Sequence, residues 1–381
     1  MEKSTRIPRI YDNLGKYLKK NKVLVIYGPR RVGKTTLLKN FLEKYKGKYR
    51  LDSGDDIEVQ NILGSSRFSI ILEYARNKNI NLLVIDEAQK IKGVGQGLKI
   101  IVDQVEGIMV IATGSSSFDL VNQVGEPLTG RKTTLTLYPI SQKELKDYFG
   151  VFDLKQKLPE FLILGSYPTI ITAKTKEEKK RLLLELTNSY LLKDILALDN
   201  IKGSVFIISL LKLLAFQIGS EVSLNELATQ LGVDAKTVAR YLDLLEKTFV
   251  ITKLGGYSGN LRKEVVKKYK YYFLDNGVRN AVISQFNNLE DRNDIGQLWE
   301  NFIVIERLKK LSYDNIYGNR YFWRTYDQKE IDLVEERDGK LFGYEIRWGL
   351  KKVKNPDEFL KTYKNTSFKV VNPDNYLDFI V

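Results

Sequence analysis

The sequence predicts an α/β protein built on a parallel sheet around a phosphate-binding loop, followed by a helical region and a mixed α+β tail. Three observations carry this expectation. Short apolar runs alternate with amphipathic stretches through the first third of the chain, the pattern of strands covered by crossover helices. One of those runs enters a glycine loop and then a helical stripe without a break. Beyond residue 140 the chain is mostly helical in period, and mixed helix and strand return in the last hundred residues.

In order along the first third, the strand candidates are 23–27, 49–52, 81–86, 108–112 and 133–138, and the helical patterns are 35–45, 66–77 and 97–105. Ligands bind such sheets beyond the carboxyl ends of the strands. Residues 28–34, 86–87 and 113–115 each follow a strand directly, so all three are expected on one sheet edge. Pro139 and the segment 165–168 break the pattern, and helices are expected at 141–149, 176–198 and 204–219.

The most informative stretch is VLVIYGPRRVGKTT, 23–36. Gly28, Gly33, Lys34 and Thr35 stand at Walker A spacing between a strand and a helix. Gly28 permits a sharp turn and Gly33 a close backbone approach, so the N–H groups of Gly28, Pro29–Val32 apart from the proline, Gly33 and the helix start at Lys34, Thr35 and Thr36 form an anion nest. Arg30 and Arg31 add positive charge to that loop. Lys34 is expected on the β- and γ-phosphates of a nucleotide, and the Thr35 hydroxyl on Mg²⁺.

LLVIDEAQ, 82–89, ends an apolar strand in Asp86 and Glu87, the Walker B arrangement. Asp86 is expected to hold Mg²⁺ and Glu87 to deprotonate the attacking water. The strand IMVIATGSSS ends in hydroxyls, of which Thr113 or Ser115 would meet the γ-phosphate; the serine run would equally serve as a helix cap. In GEPLTGRK, Arg131 precedes the next strand, where a guanidinium would stabilise phosphoryl charge in its own subunit or across an interface.

SLNELATQLGVDAKTVARYLDLLEKTF, 223–249, reads as a helix-turn-helix: Ser223 with Glu226 as a capping box, Gly232 at the turn, Asp234 capping the second helix. Runs at 249–254 and 269–274 would form the wing. Lys236, Thr237 and Arg240, with Arg262, Lys263, Lys267 and Lys268 from the wing, suit DNA phosphates. In the tail, a helix at 296–312 carries Glu300, and strands at 321–326, 330–335 and 340–348 carry Asp332, Glu345 and Arg347 in a D…E-x-K-like order. This resembles the restriction-endonuclease-like fold, with Arg347 where an active nuclease has lysine. An arginine stabilises charge but stays protonated and cannot serve as a base.

The 381 residues exceed one ordinary domain. There is no cysteine and no histidine, which excludes disulfides, thiol nucleophiles and every histidine mechanism. Mg²⁺-dependent phosphate chemistry fits the carboxylates, lysines, arginines and hydroxyls that are left. The net charge of +14 suits a polyanionic partner such as DNA, although the lysines are dispersed as on an ordinary soluble surface. The apolar run 205–216 contains Lys212 and is too short for a bilayer, and the first ten residues have no apolar signal region, so a cytoplasmic protein without a membrane partner is expected.

The chain as a whole resembles the prokaryotic AAA-type (AAA+) ATPases whose carboxyl-terminal half is a domain of unknown function. The matching pieces are GPRRVGKTTLL, LLVIDEAQ, IATGSSS, LTGR with LYPIS, GSYP, SYLLKDIL, GQLWENFIVIERL and the WRT…EIDLVEE…YEIRWG tail. The resemblance implies an AAA+ core at 1–140, a helical lid at 141–200, a winged helix at 201–280 and a restriction-endonuclease-like domain at 281–381. It further implies ATP as nucleotide, Mg²⁺ as cofactor, and homo-oligomers of the kind AAA-type relatives assemble.

Overall fold

The computed structural model describes residues 6–76, 80–115, 127–191, 204–259, 268–325, 329–349 and 356–381. Two compact units emerge, one of residues 8–138 with 247–249, the other of 1–7, 139–246 and 250–381.

The first unit is a five-stranded parallel sheet in the order β2-β3-β4-β1-β5: β1 Lys22–Tyr27, β2 Tyr49–Ser53, β3 Leu82–Asp86, β4 Met109–Gly114 and β5 Lys132–Thr136. Val23, Leu24, Val25 and Ile26 of the interior strand β1 are buried, as expected for a strand covered on both faces. Register aligns the carboxyl ends: Tyr27 lies opposite Gly114 and Thr136, and Ser53 opposite Asp86. Helices α1 Lys34–Leu42, α2 Ile57–Leu63, α3 Phe68–Arg76 and α4 Val94–Gln104 cross between the strands. The sequence reading had no α2. Seven residues give too little periodicity to see, and its start is fixed by Asp56, whose carboxylate accepts the N–H of Glu58 at 2.8 Å.

The second unit carries a seven-stranded sheet in the order β12-β11-β10-β9-β7-β8-β6. Its strands are β6 Glu221–Val222, β7 Ile251–Gly256, β8 Tyr269–Phe273, β9 Asn319–Arg324, β10 Glu330–Arg337, β11 Lys340–Ile346 and β12 Thr366–Val371. The boundaries expected at 200 and 280 do not fall between compact units. The hairpin expected as a wing, β7 and β8, joins the tail strands through a parallel pairing of Gly255 with Tyr321 and Gly256 with Phe322. The helix Ile295–Tyr313 is buried around most of its circumference, and Asn301, Glu306, Arg307 and Lys309 are among its buried side chains. The Asn301 side chain accepts from the N–H of Phe273 at 2.8 Å and donates to its carbonyl at 2.9 Å. Arg307 meets Glu335 through two bonds, Nε to Oε1 at 2.7 Å and Nη2 to Oε2 at 3.0 Å.

The helix pair Leu224–Leu231 and Ala235–Lys247 is capped by the residues the sequence named. Ser223 accepts from Glu226 N at 3.4 Å, Gly232 takes φ 67°, and Asp234 accepts from Thr237 N at 2.8 Å. Among the described residues no helix is long and apolar enough to cross a membrane.

Candidate functional site: a phosphate-binding loop and a buried acidic pocket

The loop between β1 and α1 is shaped by its two glycines. Gly28 has φ 151°, and a Cβ there would lie 2.0 Å from the Leu137 carbonyl oxygen, so no other residue fits beneath the end of β5. Gly33 has φ 94° and caps α1, and Arg31 between them has φ 60°. Pro29 and Val32 are buried in the loop wall, Arg30 is half-buried, and Thr35 and Thr36 are exposed on the first turn of α1. The Lys34 side chain is buried and its Nζ donates to the carbonyls of Gly28 at 2.8 Å and Pro29 at 2.7 Å. The ammonium is therefore held inside the loop, close to where the backbone nest would take an anion.

The strand-end residues converge on the same edge. Thr35 Oγ1 donates to Asp86 Oδ2 at 2.9 Å, and Thr113 Oγ1 donates to Asp86 Oδ1. Asp86 thus links the loop helix, β3 and β4. Glu87 follows with φ 52°, a conformation rare outside glycine, and its N–H reaches Asp86 Oδ1 and Thr113 Oγ1, each at 3.2 Å. Its carboxylate accepts from Gln89 Nε2 at 2.6 Å, and the same Nε2 donates to Ser115 Oγ at 3.0 Å. Thr113 and Ser115 accordingly have different partners: the Asp86 carboxylate for Thr113, the Gln89 amide for Ser115.

Arg131 departs from its expected place. It immediately precedes β5, and in a parallel sheet the start of a strand lies on the edge opposite the loop. Its carbonyl accepts from Val23 N at 2.9 Å, at the beginning of β1, and its Nε pairs with Asp103 Oδ1 at 2.5 Å near the end of α4. A role for Arg131 on nucleotide held by its own chain is therefore excluded. The arginine that does meet the loop is Arg9, whose Nη1 donates to the Val32 carbonyl and whose Nη2 donates to the Tyr138 carbonyl at 2.7 Å. No motif marks it. It lies upstream of β1 in a stretch with no periodicity to read.

In the second unit, Glu300, Asp332 and Arg347 line one cavity of about 610 Å³ together with Lys270, Glu330 and Trp348. Asp332 Oδ2 accepts from Ile346 N at 2.7 Å, Tyr272 donates to Glu300 Oε1 at 2.7 Å, and Arg347 pairs with Glu345. Burial, and then the charge of Asp332, push both Glu300 and Glu345 up to about 7. Burial also raises Asp332. Lys270, missed in the sequence, reaches in from β8 at 2% exposure, pairing with Glu330 and lying 3.4 Å from Glu300. Burial works against its charge, but Glu300, Glu330 and Asp332 outweigh it and hold the ammonium above its usual range. Among the described residues no three His, Cys, Asp or Glu side chains gather as a metal-holding group.

Of the residues expected to meet DNA, Lys236 and Arg240 are exposed on the second helix of the pair. The Thr237 hydroxyl instead donates to Asp234 Oδ2 at 2.7 Å, and Lys268 pairs with Glu221 at 2.7 Å. Arg262, Lys263 and Lys267 lie outside the described residues, as do Ser116, Ser117 and Gly125.

Comparison with known proteins bears on the first of these sites. Residues 20–146 match a family model described as an AAA domain. The amino-terminal unit is thus similar to AAA domains over these residues. Residues 155–289 and 295–376 match two models described as domains of unknown function, DUF8612 and DUF4143. The chain is 28% identical over 328 residues to an uncharacterized protein of Mycobacterium tuberculosis, covering 85% of this chain and 70% of that one. It is 24% identical over 332 residues to an uncharacterized protein of Methanocaldococcus jannaschii, covering 82% and 72%. Among solved structures it aligns with a Walker-type ATPase of Pyrococcus abyssi at TM-score 0.48 and 16% identity, over 72% of this chain and 93% of that chain.

Proposed function

We propose that the amino-terminal unit binds ATP and hydrolyses its β–γ bond with Mg²⁺, and that the carboxyl-terminal half couples this cycle to DNA or protein binding. The observation that carries the reading is the Thr35–Asp86 bond of 2.9 Å, which joins the glycine loop to the acidic strand end beside a buried Lys34. A hydroxyl and a carboxylate are hard oxygen donors suited to Mg²⁺, which when bound would offset charge on the β- and γ-phosphates. Lys34 exchanges its two loop carbonyls for phosphate oxygens, and the N–H groups of the loop cradle the phosphates. Glu87 takes the proton of the attacking water. Thr113 keeps Asp86 oriented, and Ser115 meets the γ-phosphate.

The test is steady-state ATPase activity with and without added DNA. DNA-stimulated turnover is expected if Lys236 and Arg240 contact phosphates; slow turnover indifferent to DNA points to a nucleotide-gated switch serving a protein partner. Lys34→Ala should lose about 1.5–3 kcal/mol of nucleotide binding, the worth of hydrogen bonds to a charged group, or about ten- to a hundredfold in Kd. Unchanged affinity would remove Lys34 from the phosphates.

A second reading, an ATP-controlled nuclease, is favoured by one observation: Lys270 lines one cavity with Glu300 and Asp332, where its ammonium, held in the charged form, would stabilise phosphate charge rather than act as a base. It requires Mg²⁺- or Mn²⁺-dependent cutting of DNA that both Asp332→Ala and Lys270→Met abolish. Intact substrate in the presence and absence of ATP would sink it.

A further inference from the structure

Gln89 has no role in the reading above, yet its placement is costly. Its Nε2 donates to Glu87 Oε2 at 2.6 Å and to Ser115 Oγ at 3.0 Å, while its Oε1 is buried with no hydrogen-bond partner among the described residues. A buried carbonyl left unpaired costs about 1–3 kcal/mol, and such groups in native structures call for an explanation. Turning the amide over would let the Ser115 hydroxyl donate to it, but would set a carbonyl oxygen 2.6 Å from the Glu87 carboxylate and bury the NH2 where the carbonyl now lies unpaired. The amide is thus held with its two N–H groups aimed at the carboxylate and at the hydroxyl.

The Ser115 oxygen, buried at the end of β4, accepts from Gln89, so its own proton is directed elsewhere. The Glu87 carboxylate is fixed at one oxygen, and its backbone is fixed by Asp86 and Thr113. Among the described residues, Gln89 is the side chain that hydrogen-bonds both the strand-end hydroxyl and the acid.

We infer that Gln89 is a positioning residue for ATP hydrolysis: it ties the hydroxyl that meets the γ-phosphate to the carboxylate that takes the water's proton, and so couples recognition of a triphosphate to alignment of the base. The inference rests on the assignment of Glu87 as base. When Ser115 O–H engages a γ-phosphate oxygen, the Ser115 oxygen stays hydrogen-bonded to Gln89, and Gln89 holds Glu87 in place. A diphosphate leaves Ser115 without that anchor.

The experiment uses the full chain and measures kcat and KM for ATP, together with affinity for a non-hydrolysable ATP analogue. The variants are Gln89→Met, Gln89→Glu, Ser115→Ala, the Gln89→Met/Ser115→Ala double and Glu87→Gln. Misplacing a catalytic group can cost up to about a hundredfold, so Gln89→Met should lower kcat about tenfold or more while KM and analogue affinity stay at wild type. Gln89→Glu, which keeps the volume and sets one carboxylate against another, should lower kcat at least as far. The double variant should be no slower than the slower single, because both break one connection. A wild-type kcat in both Gln89 variants overturns the inference, as does multiplication of the two single losses in the double. Full turnover in Glu87→Gln would overturn the base assignment itself. An inactive Glu87→Gln beside fully active Gln89 variants overturns the positioning role alone.

Discussion

Glu87→Gln is expected to bind ATP as the wild type does and to lose turnover by about 10²–10⁴-fold, the usual contribution of a positioned general base. The substitution keeps the side-chain volume and the acceptor oxygen, so the contact with Gln89 Nε2 survives. The backbone bonds from Glu87 N to Asp86 and Thr113 are untouched. What disappears is the ability to take up a proton. Isothermal titration with a non-hydrolysable analogue, beside phosphate-release rates, separates the two properties. Wild-type phosphate release would mean that another group activates the water.

Arg307→Met is expected to destabilise the second unit by about 3–5 kcal/mol, the cost of stranding a buried charge. Glu335, 1% exposed, would lose both arms of its guanidinium partner and keep only Arg337 Nη2 at 3.1 Å. The Arg307 side chain also donates to the Phe379 carbonyl at 2.7 Å, so a second polar group is orphaned with it. Replacing both partners, Arg307→Met with Glu335→Leu, should recover most of the loss, since an apolar pair of similar volume leaves no charge uncompensated. Denaturant midpoints of the three variants check this. A single variant within about 1 kcal/mol of wild type would show that solvent reaches Glu335.

The first unit was legible because its elements announce themselves locally. The apolar strands, Gly28, Gly33 and the acids of 86–87 follow one another in a fixed order, and a parallel sheet places all of them on one edge. The caps at Ser223 and Asp234 were legible for the same reason, each acting within three or four residues. Arg131 was misplaced because nearness to a strand was read without direction: a residue that enters a parallel strand stands at the far edge from one that leaves it. Gln89 stood in plain sight inside LLVIDEAQ, but its meaning depends on Ser115 from a strand 26 residues away. Lys270 and Arg9 were hidden for a stronger reason. Lys270 faces acids 30 to 62 residues further along, and Arg9 clasps carbonyls 23 and 129 residues on, separations at which no periodicity survives. The polar face of Ile295–Tyr313 misleads in the opposite sense, since its charges look solvated until their buried partners are known.

The parallel pairing of β7 with β9 has a consequence for synthesis on the ribosome. The first unit takes its strands almost wholly from the first 138 residues and can fold early. The sheet of the second cannot close in the order the chain emerges. After β8 at Phe273, the free side of β7 waits for Asn319–Arg324, and β11 waits for Thr366–Val371. During that interval an open strand edge is presented to whatever is nearby, the condition under which nascent chains recruit chaperones or pair wrongly. A ribosome stall or proteolytic cut between 274 and 318 would therefore release an adhesive fragment rather than a smaller working protein.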